Sequence, residues 1–136
     1  MKDLKDFQSK PLDLQTFHLQ EVLDVYDGVE ILAYLQDEKG CTWMRQWIDQ
    51  ERVYDILIHR QLYYMLSRKQ IRQVVENRMP VREAMHLSAE MFVCDQMYRV
   101  DGRLTSQRPV RETFYKVLES DLPQECLPRE GVLLHA

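Results

Sequence analysis

The sequence contains side chains that could serve as acids and bases, yet none of them stands in a recognised catalytic motif. Two pairs of carboxylates, Asp49 with Glu51 and Asp24 with Asp55, could share acid and base roles if folding brought them together. Any acidic chain contains such pairs, so they indicate little by themselves. His59 ends an expected strand, where an isolated histidine is more often a surface or hydrogen-bonded residue than a catalytic one.

Motifs for a nucleophile or a bound phosphate are also missing from the sequence. Ser67, Ser88 and Ser120 lie in no GxSxG pattern, and there is no Gly-rich phosphate loop, HExxH pair or EF-hand loop. We therefore assign no catalytic residues and lean against an enzyme. An enzyme whose site is assembled only in three dimensions stays open as an alternative.

The spacing of the cysteines and histidines argues against a metal site. These side chains are Cys41, Cys94, Cys126, His18, His59, His86 and His135. They form no CxxC or other close pair of the kind that a zinc site uses. An odd number of widely spaced cysteines also argues against a disulfide framework and favours a reducing cytoplasm. We expect no metal and no cofactor.

A basic segment over residues 60–82 is the first candidate binding surface. It contains six cationic residues, Arg60, Arg68, Lys69, Arg72, Arg78 and Arg82, against the single anion Glu76, so its local charge is +5 in a chain of net charge −4. Tyr63 and Tyr64 could stack on bases beside Arg60, Arg68, Lys69 and Arg72, which would make a nucleic-acid interface. The alternative is a solvated helix face whose arginine stems cover apolar neighbours.

An aromatic and charged row is the second candidate surface. Trp43, Arg45, Trp47 and Asp49 alternate along one expected strand, so they would project from a single face of the sheet. Trp and Arg are the residues most enriched at binding hot spots, which indicates a site for a protein partner. The alternative is that both tryptophans belong to the core and Arg45 lies over an indole ring.

The strands that must position these candidates follow from the hydrophobic period. Alternation predicts five strands, over Glu21–Tyr26, Val29–Leu35, Cys41–Ile48, Val53–His59 and Met91–Val100. Asp27-Gly28 and Asp101-Gly102 predict hairpin turns, because these residues tolerate the positive φ that such turns require. Short polar connections such as Asp49–Arg52 favour antiparallel pairing, since parallel strands would need long crossovers.

Helical spacing is seen in the remaining stretches. Ser67 is a candidate N-cap for a helix with Ile71 and Val74 on its apolar face, and Pro80 can open a short helix. A third stripe follows Pro109 and consists of Val110, Phe114, Val117 and Leu118. Together these elements predict an α+β fold, an antiparallel β-meander of about five strands with two or three helices packed mainly on one face.

Composition predicts one globular domain without a membrane segment. Apolar residues make up 45% of the 136 residues and charged residues 29%, which is typical of a globular protein. We expect a polar, partly mobile lead over residues 1–18 and a single domain over residues 19–136, in which the apolar Val132–Leu134 docks on the body. The N-terminus has no signal-like apolar run, and no run reaches the roughly 18 residues of a membrane span.

Four stretches carry a resemblance to known proteins. They are EVLDVYDG (Glu21–Gly28), CTWMRQWIDQERVYDILIH (Cys41–His59), MLSRKQIRQVVENRMPVREAM (Met65–Met85) and LPREGVLL (Leu127–Leu134). Over roughly residues 19–134 the chain resembles an uncharacterised family of small bacterial proteins, a domain of unknown function. The resemblance implies a bacterial or phage origin and an α+β fold, and it implies no activity, cofactor or site residue.

The distribution of apolar residues indicates a binding role. Both faces of the expected strands are apolar, whereas a sheet with one wet face alternates more cleanly. Either the chain ends cover the second face or a partner does. The sequence therefore favours a non-catalytic protein–protein interaction module, with self-association through the sheet as its simplest form.

Overall fold

The computed structural model describes residues 17–135 and shows an antiparallel sheet that dominates the molecule. The strands are β1 (His18–Tyr26), β2 (Val29–Gln36), β3 (Thr42–Val53), β4 (Ile56–Met65), β5 (Met91–Asp101), β6 (Leu104–Thr105) and β7 (Arg111–Lys116). The helices are α1 (Arg68–Val75) and α2 (Val81–His86), and two 3₁₀ turns, Glu119–Asp121 and Gln124–Cys126, follow the last strand.

The strands are paired mostly in sequence order. The path β1-β2-β3-β4-β5 is a continuous meander, and both β6 and β7 then pair with the free side of β5. β7 lies beside Phe92–Met97, whereas the short β6 lies beside the distal end of β5, at Val100 and Asp101. The expected polar lead over residues 1–18 lies almost entirely outside the described residues.

The prediction of about five strands with two or three packed helices is wrong. Within residues 17–135 the sheet has seven strands, and only two short helices of 8 and 6 residues accompany it. The stretch after Pro109 is a strand, although its apolar residues have helical spacing. Thr113, Phe114 and Tyr115 favour strands, and pairing with β5 decides the conformation of this stretch.

The hairpins show where local sequence signals succeed and fail. Asp27 (φ 51°) and Gly28 (φ 77°) form the predicted two-residue turn between β1 and β2. The polar stretch Asp49–Arg52 was expected to connect two strands, but it continues β3. The turn instead consists of Tyr54 and Asp55. The distal part of β3 extends beyond the core into solvent, so polar residues are tolerated in that part of the strand.

Both helices and the C-terminal segment pack on one face of the sheet. Ser67 caps α1 by accepting a hydrogen bond from the Gln70 amide, and Ile71 and Val74 face the core. The core of this face also contains Met44, Leu62, Tyr64, Val93, Ala84, Met85, Val117, Leu122 and Leu127. Leu134 packs against the same cluster, as predicted for the docking of the chain end.

The second face of the sheet has its own apolar cluster. It consists of the buried residues Leu35, Trp43, Tyr63, Phe92 and Cys94. No residue of α1 or α2 belongs to it within residues 17–135. The Phe17 ring packs over one end of this face, with centroids 5.5 Å from Trp43 and 5.4 Å from Tyr63. In the same part of the chain, no helix is long and apolar enough to cross a membrane.

Candidate functional site: an aromatic sheet face

The structure separates the six residues of the expected nucleic-acid interface. Arg60 is buried on the helix-bearing face, where its guanidinium forms a two-pronged ion pair with Asp95, at 2.8 and 2.9 Å. Tyr63 and Tyr64 are buried on opposite faces of β4, and burial raises the pKa of both phenols. Bases cannot stack on rings that are already packed in two cores.

The rest of the basic segment divides in the same way. Arg82 is buried and holds the C-terminal segment, whereas Arg78 forms an exposed pair with Glu76. The remaining three cations, Arg68, Lys69 and Arg72, lie exposed on α1. The structure thus leaves three of the six proposed residues on one accessible element.

The second candidate row is only partly brought together. Trp43 is buried, and its indole N–H donates to the Asp37 carboxylate at 3.1 Å, so this ring is structural. Arg45 is half-buried and pairs with Glu30 at 2.9 Å across β2 and β3. Trp47 is half-buried further along the same face. Two of these three side chains therefore already have defined polar partners.

A β-bulge removes Asp49 from this row. Trp47 lies opposite Gln61, but Asp49 lies opposite Arg60, so one residue is inserted between them. Arg60 alternates with Leu62 and therefore projects to the helix-bearing face. Because Asp49 lies opposite Arg60, it projects to the helix-bearing face as well. The alternation that puts the row on the second face therefore holds only from Trp43 to Trp47.

The second face carries an aromatic patch of Trp47, His59 and Tyr98. The His59 ring lies between the other two, with centroids 6.3 Å from Trp47 and 5.2 Å from Tyr98. The rings come from β3, β4 and β5, which are neighbours in the sheet. All three residues are half-buried, so the patch presents aromatic surface to solvent. Sequence analysis missed this patch because cross-strand register brings its members together.

Amide side chains and unpartnered polar atoms lie beside the aromatic patch. The Trp47 indole N–H and the Gln61 side-chain oxygen are buried and have no hydrogen-bond partner among residues 17–135. The Tyr98 hydroxyl donates to the Gln96 side-chain oxygen at 3.4 Å, which is a long hydrogen bond. Buried polar groups are normally paired, so these groups mark a place where hydrogen bonds are missing within the described part of the chain.

Burial shifts the pKa of three titratable groups in this region, His59, Tyr98 and Glu112. Burial lowers the pKa of His59 from 6.5, and burial raises the pKa of Glu112 on the adjoining strand. The pKa of Tyr98 is raised, first by burial and then by the charge of Glu112. Burial thus makes the charged forms of His59, Tyr98 and Glu112 less favourable than they are in water.

The candidate catalytic groups occupy other places. Ser67 caps α1, and the Ser88 hydroxyl donates to the Met85 carbonyl at 2.8 Å. Burial raises the pKa of the Cys94 thiol, so this cysteine is a poor nucleophile. Within residues 17–135, no group of three or more His, Cys, Asp and Glu residues is arranged to hold a metal ion.

No family model, curated protein or solved structure matches this chain. The resemblance to an uncharacterised bacterial family stays a prediction from the sequence.

Proposed function

We propose that this protein is a non-catalytic protein–protein interaction module whose aromatic patch binds a partner protein. The observation that carries the proposal is the half-buried set of Trp47, His59 and Tyr98 on the sheet face that neither helix covers. Aromatic side chains concentrate binding energy because they bury a large area with few rotatable bonds.

The unpartnered atoms beside the patch support the same proposal. A partner backbone or side chain at the Trp47 indole N–H and the Gln61 oxygen would supply the hydrogen bonds that residues 17–135 do not provide. These atoms lie under the surface, so a small side-chain rotation must accompany binding. Interfaces commonly need such rotamer changes.

Self-association is the simplest form of this function. Two copies that meet through their aromatic patches would form a symmetric interface, in which the same residues act on both sides. We place this activity in the cytoplasm, because the cysteines are free and no disulfide framework is present among the described residues.

Nucleic-acid binding through residues 60–82 is the weaker alternative. Arg60, Tyr63 and Tyr64 are buried, so the interface would depend on Arg68, Lys69 and Arg72 of α1. Three phosphate contacts give weak affinity, and its salt dependence is correspondingly shallow because the salt slope scales with the number of contacts. A gel shift at low salt that disappears on substitution of these three residues would favour this alternative.

Light scattering and cross-linking test the proposal. We expect a mass near twice the chain's 16.4 kDa at high concentration, and a Trp47→Ala/Tyr98→Ser variant should return to the monomer mass with an unchanged circular dichroism spectrum. Tyr26→Ser is the matched control, because Tyr26 is an exposed aromatic at the β1–β2 turn.

A heterologous partner gives a different result in the same experiments. The chain would then be monomeric, and a photo-cross-linker introduced at Tyr98 should capture one protein from the source cell, whereas the same group at Tyr26 should not. A monomer that gives no Tyr98-specific product would rule the proposal out.

A further inference from the structure

A cleft lies between α1 and the adjoining ends of β1 and β2, on the helix-bearing side of the sheet. Its volume is about 410 Å³, and its lining includes Arg68, Ile71, Arg72 and Glu76 on the helix side. Glu21 and Tyr34 belong to the sheet side of the same cleft. Tyr34 packs against the helix-bearing core, so the cleft is separated by the sheet from the aromatic patch.

The charges that line this cleft are balanced. Arg68 and Arg72 are four residues apart on α1 and therefore lie on one face of the helix. Neither forms an ion pair within 4 Å in residues 17–135, even though Glu76 is one turn beyond Arg72. Glu76 contacts Arg78 instead, at 3.4 Å. Two guanidinium groups are thus available beside two carboxylates.

The uncharged groups of the cleft add acceptors and an apolar surface. The side-chain amides of Gln20 and Gln36 donate to the backbone carbonyls of His18 and Gly40, at 3.2 and 3.4 Å. Both glutamines line the cleft, and neither of these contacts uses a side-chain oxygen. Ile71 supplies an aliphatic wall. A ligand of this cleft needs an anionic group, hydrogen-bond donors and a small apolar part.

We propose that the cleft binds a small zwitterion, an α-amino acid with an aliphatic side chain. Its carboxylate would contact Arg68 and Arg72, which can bind it with paired hydrogen bonds. Its ammonium group would contact Glu21 or Glu76, and its side chain would pack against Ile71. The cleft volume lies within the usual range for small-molecule sites, of roughly 300–1,000 Å³.

The two carboxylates distinguish this ligand from a simple anion. Inorganic phosphate would be attracted by the arginines but repelled by Glu21 and Glu76. A zwitterion satisfies both signs of charge at once. This proposal does not depend on the aromatic patch, since the two sites are on opposite faces of the sheet.

Titration with three related probes tests the assignment. L-leucine, N-acetyl-leucine and leucinamide are each added to the isotope-labelled full chain, and amide signals of α1 and β2 are followed by NMR. We expect L-leucine to shift these signals, and blocking either its amino or its carboxyl group to weaken binding about tenfold or more.

Two double variants provide the matched comparison. Arg68→Gln/Arg72→Gln should raise the Kd for L-leucine about tenfold or more, because both carboxylate contacts are lost. Lys69→Gln/Arg103→Gln removes the same charge from exposed positions that do not line the cleft, and should leave the Kd unchanged. Circular dichroism confirms that each variant is folded.

Three results would overturn the assignment. L-leucine at about 10 mM could leave the α1 and β2 signals unmoved, which would place the Kd beyond any useful affinity. The three probes could bind equally well, which would remove the need for both charges. Inorganic phosphate could bind as tightly as L-leucine, which would identify a plain anion site.

Discussion

Arg60 and Asp95 lie directly opposite each other on β4 and β5 and form an ion pair inside the protein. Both side chains are almost fully buried, at 2% and 0% exposure, and two hydrogen bonds join them. Removing one partner would leave the other charge in the core, which is far costlier than removing both.

Breaking this pair is therefore expected to be strongly destabilising. Arg60→Met or Asp95→Leu should lower the free energy of unfolding by about 3–5 kcal/mol, while the double variant Arg60→Met/Asp95→Leu should lose less than either single variant. Urea denaturation measures all three. Arg45→Met is the control and should cost about 1 kcal/mol or less, because its pair with Glu30 is partly exposed. If the double variant lost the sum of the two single losses in free energy of unfolding, the two charges would not depend on each other and the prediction would be wrong.

Tyr54 stores backbone strain at the tip of the β3–β4 hairpin. Its φ of 54° is in the left-handed region, and its side chain is 93% exposed, so packing does not compensate for the strain. We expect Tyr54→Gly to raise the free energy of unfolding by roughly 0.5–1 kcal/mol, after the entropy cost of glycine is subtracted. The urea midpoint measures the gain. Tyr54→Ala keeps the Cβ atom and should show no comparable gain.

Arg82 connects α2 to the C-terminal segment. Its guanidinium donates to Glu119 at 2.8 Å, Gln124 at 2.9 Å and the Pro128 carbonyl at 3.1 Å. Arg82→Met should therefore release this segment, and hydrogen exchange of residues 119–128 should accelerate while the β3–β5 amides stay protected. Arg82→Lys replaces three separate donor nitrogens with a single ammonium nitrogen, which cannot span the same three acceptors, and should show an intermediate effect. Equal acceleration across the sheet would indicate global destabilisation instead.

His59 makes stability depend on pH. Because burial lowers its folded-state pKa below the ordinary 6.5, the unfolded chain binds a proton more readily than the folded chain. Its contribution is favourable above pH 6.5 and is lost as the pH falls through the folded-state pKa. His59→Gln should flatten the decrease in stability between about pH 7.5 and pH 5, measured by urea denaturation at each pH. An unchanged slope would contradict this prediction.

Glu112 acts with the opposite sign. Burial raises its folded-state pKa above the ordinary 4.5, so its protonated form is favoured in the folded chain. Its contribution is present below pH 4.5 and is lost as the pH rises through the folded-state pKa. In the same series of urea denaturations, Glu112→Gln should raise the free energy of unfolding more at neutral pH than at acid pH. His59→Gln should not produce that increase.

Local sequence signals predicted the features that depend on neighbours along the chain. Asp27-Gly28 formed the expected turn because only a few residues tolerate two positive φ angles in succession. Ser67 capped α1 because its hydroxyl reaches the free amides at the start of the helix. The same reasoning failed for Phe114, whose helical spacing was overridden by pairing with β5.

The candidate sites show a sharper division. Trp43, Arg45 and Trp47 could be assigned to one face from alternation alone, but the bulge that moves Asp49 to the other face has no sequence signature here. The charges of the basic segment could be counted from the sequence. The burial of Arg60, however, depends on Asp95, which is 35 residues away along the chain.

By itself, the sequence determined the Asp27-Gly28 turn, the Ser67 helix cap and the presence of apolar side chains on both faces of the strands. Only the tertiary structure decided the number of strands, the burial of Arg60 and Arg82, and the grouping of Trp47, His59 and Tyr98. The physical reason is that turns and caps are settled by the conformational limits of a few adjacent residues. Strand register, ion pairs and aromatic contacts are settled by free energies shared among residues far apart in the chain.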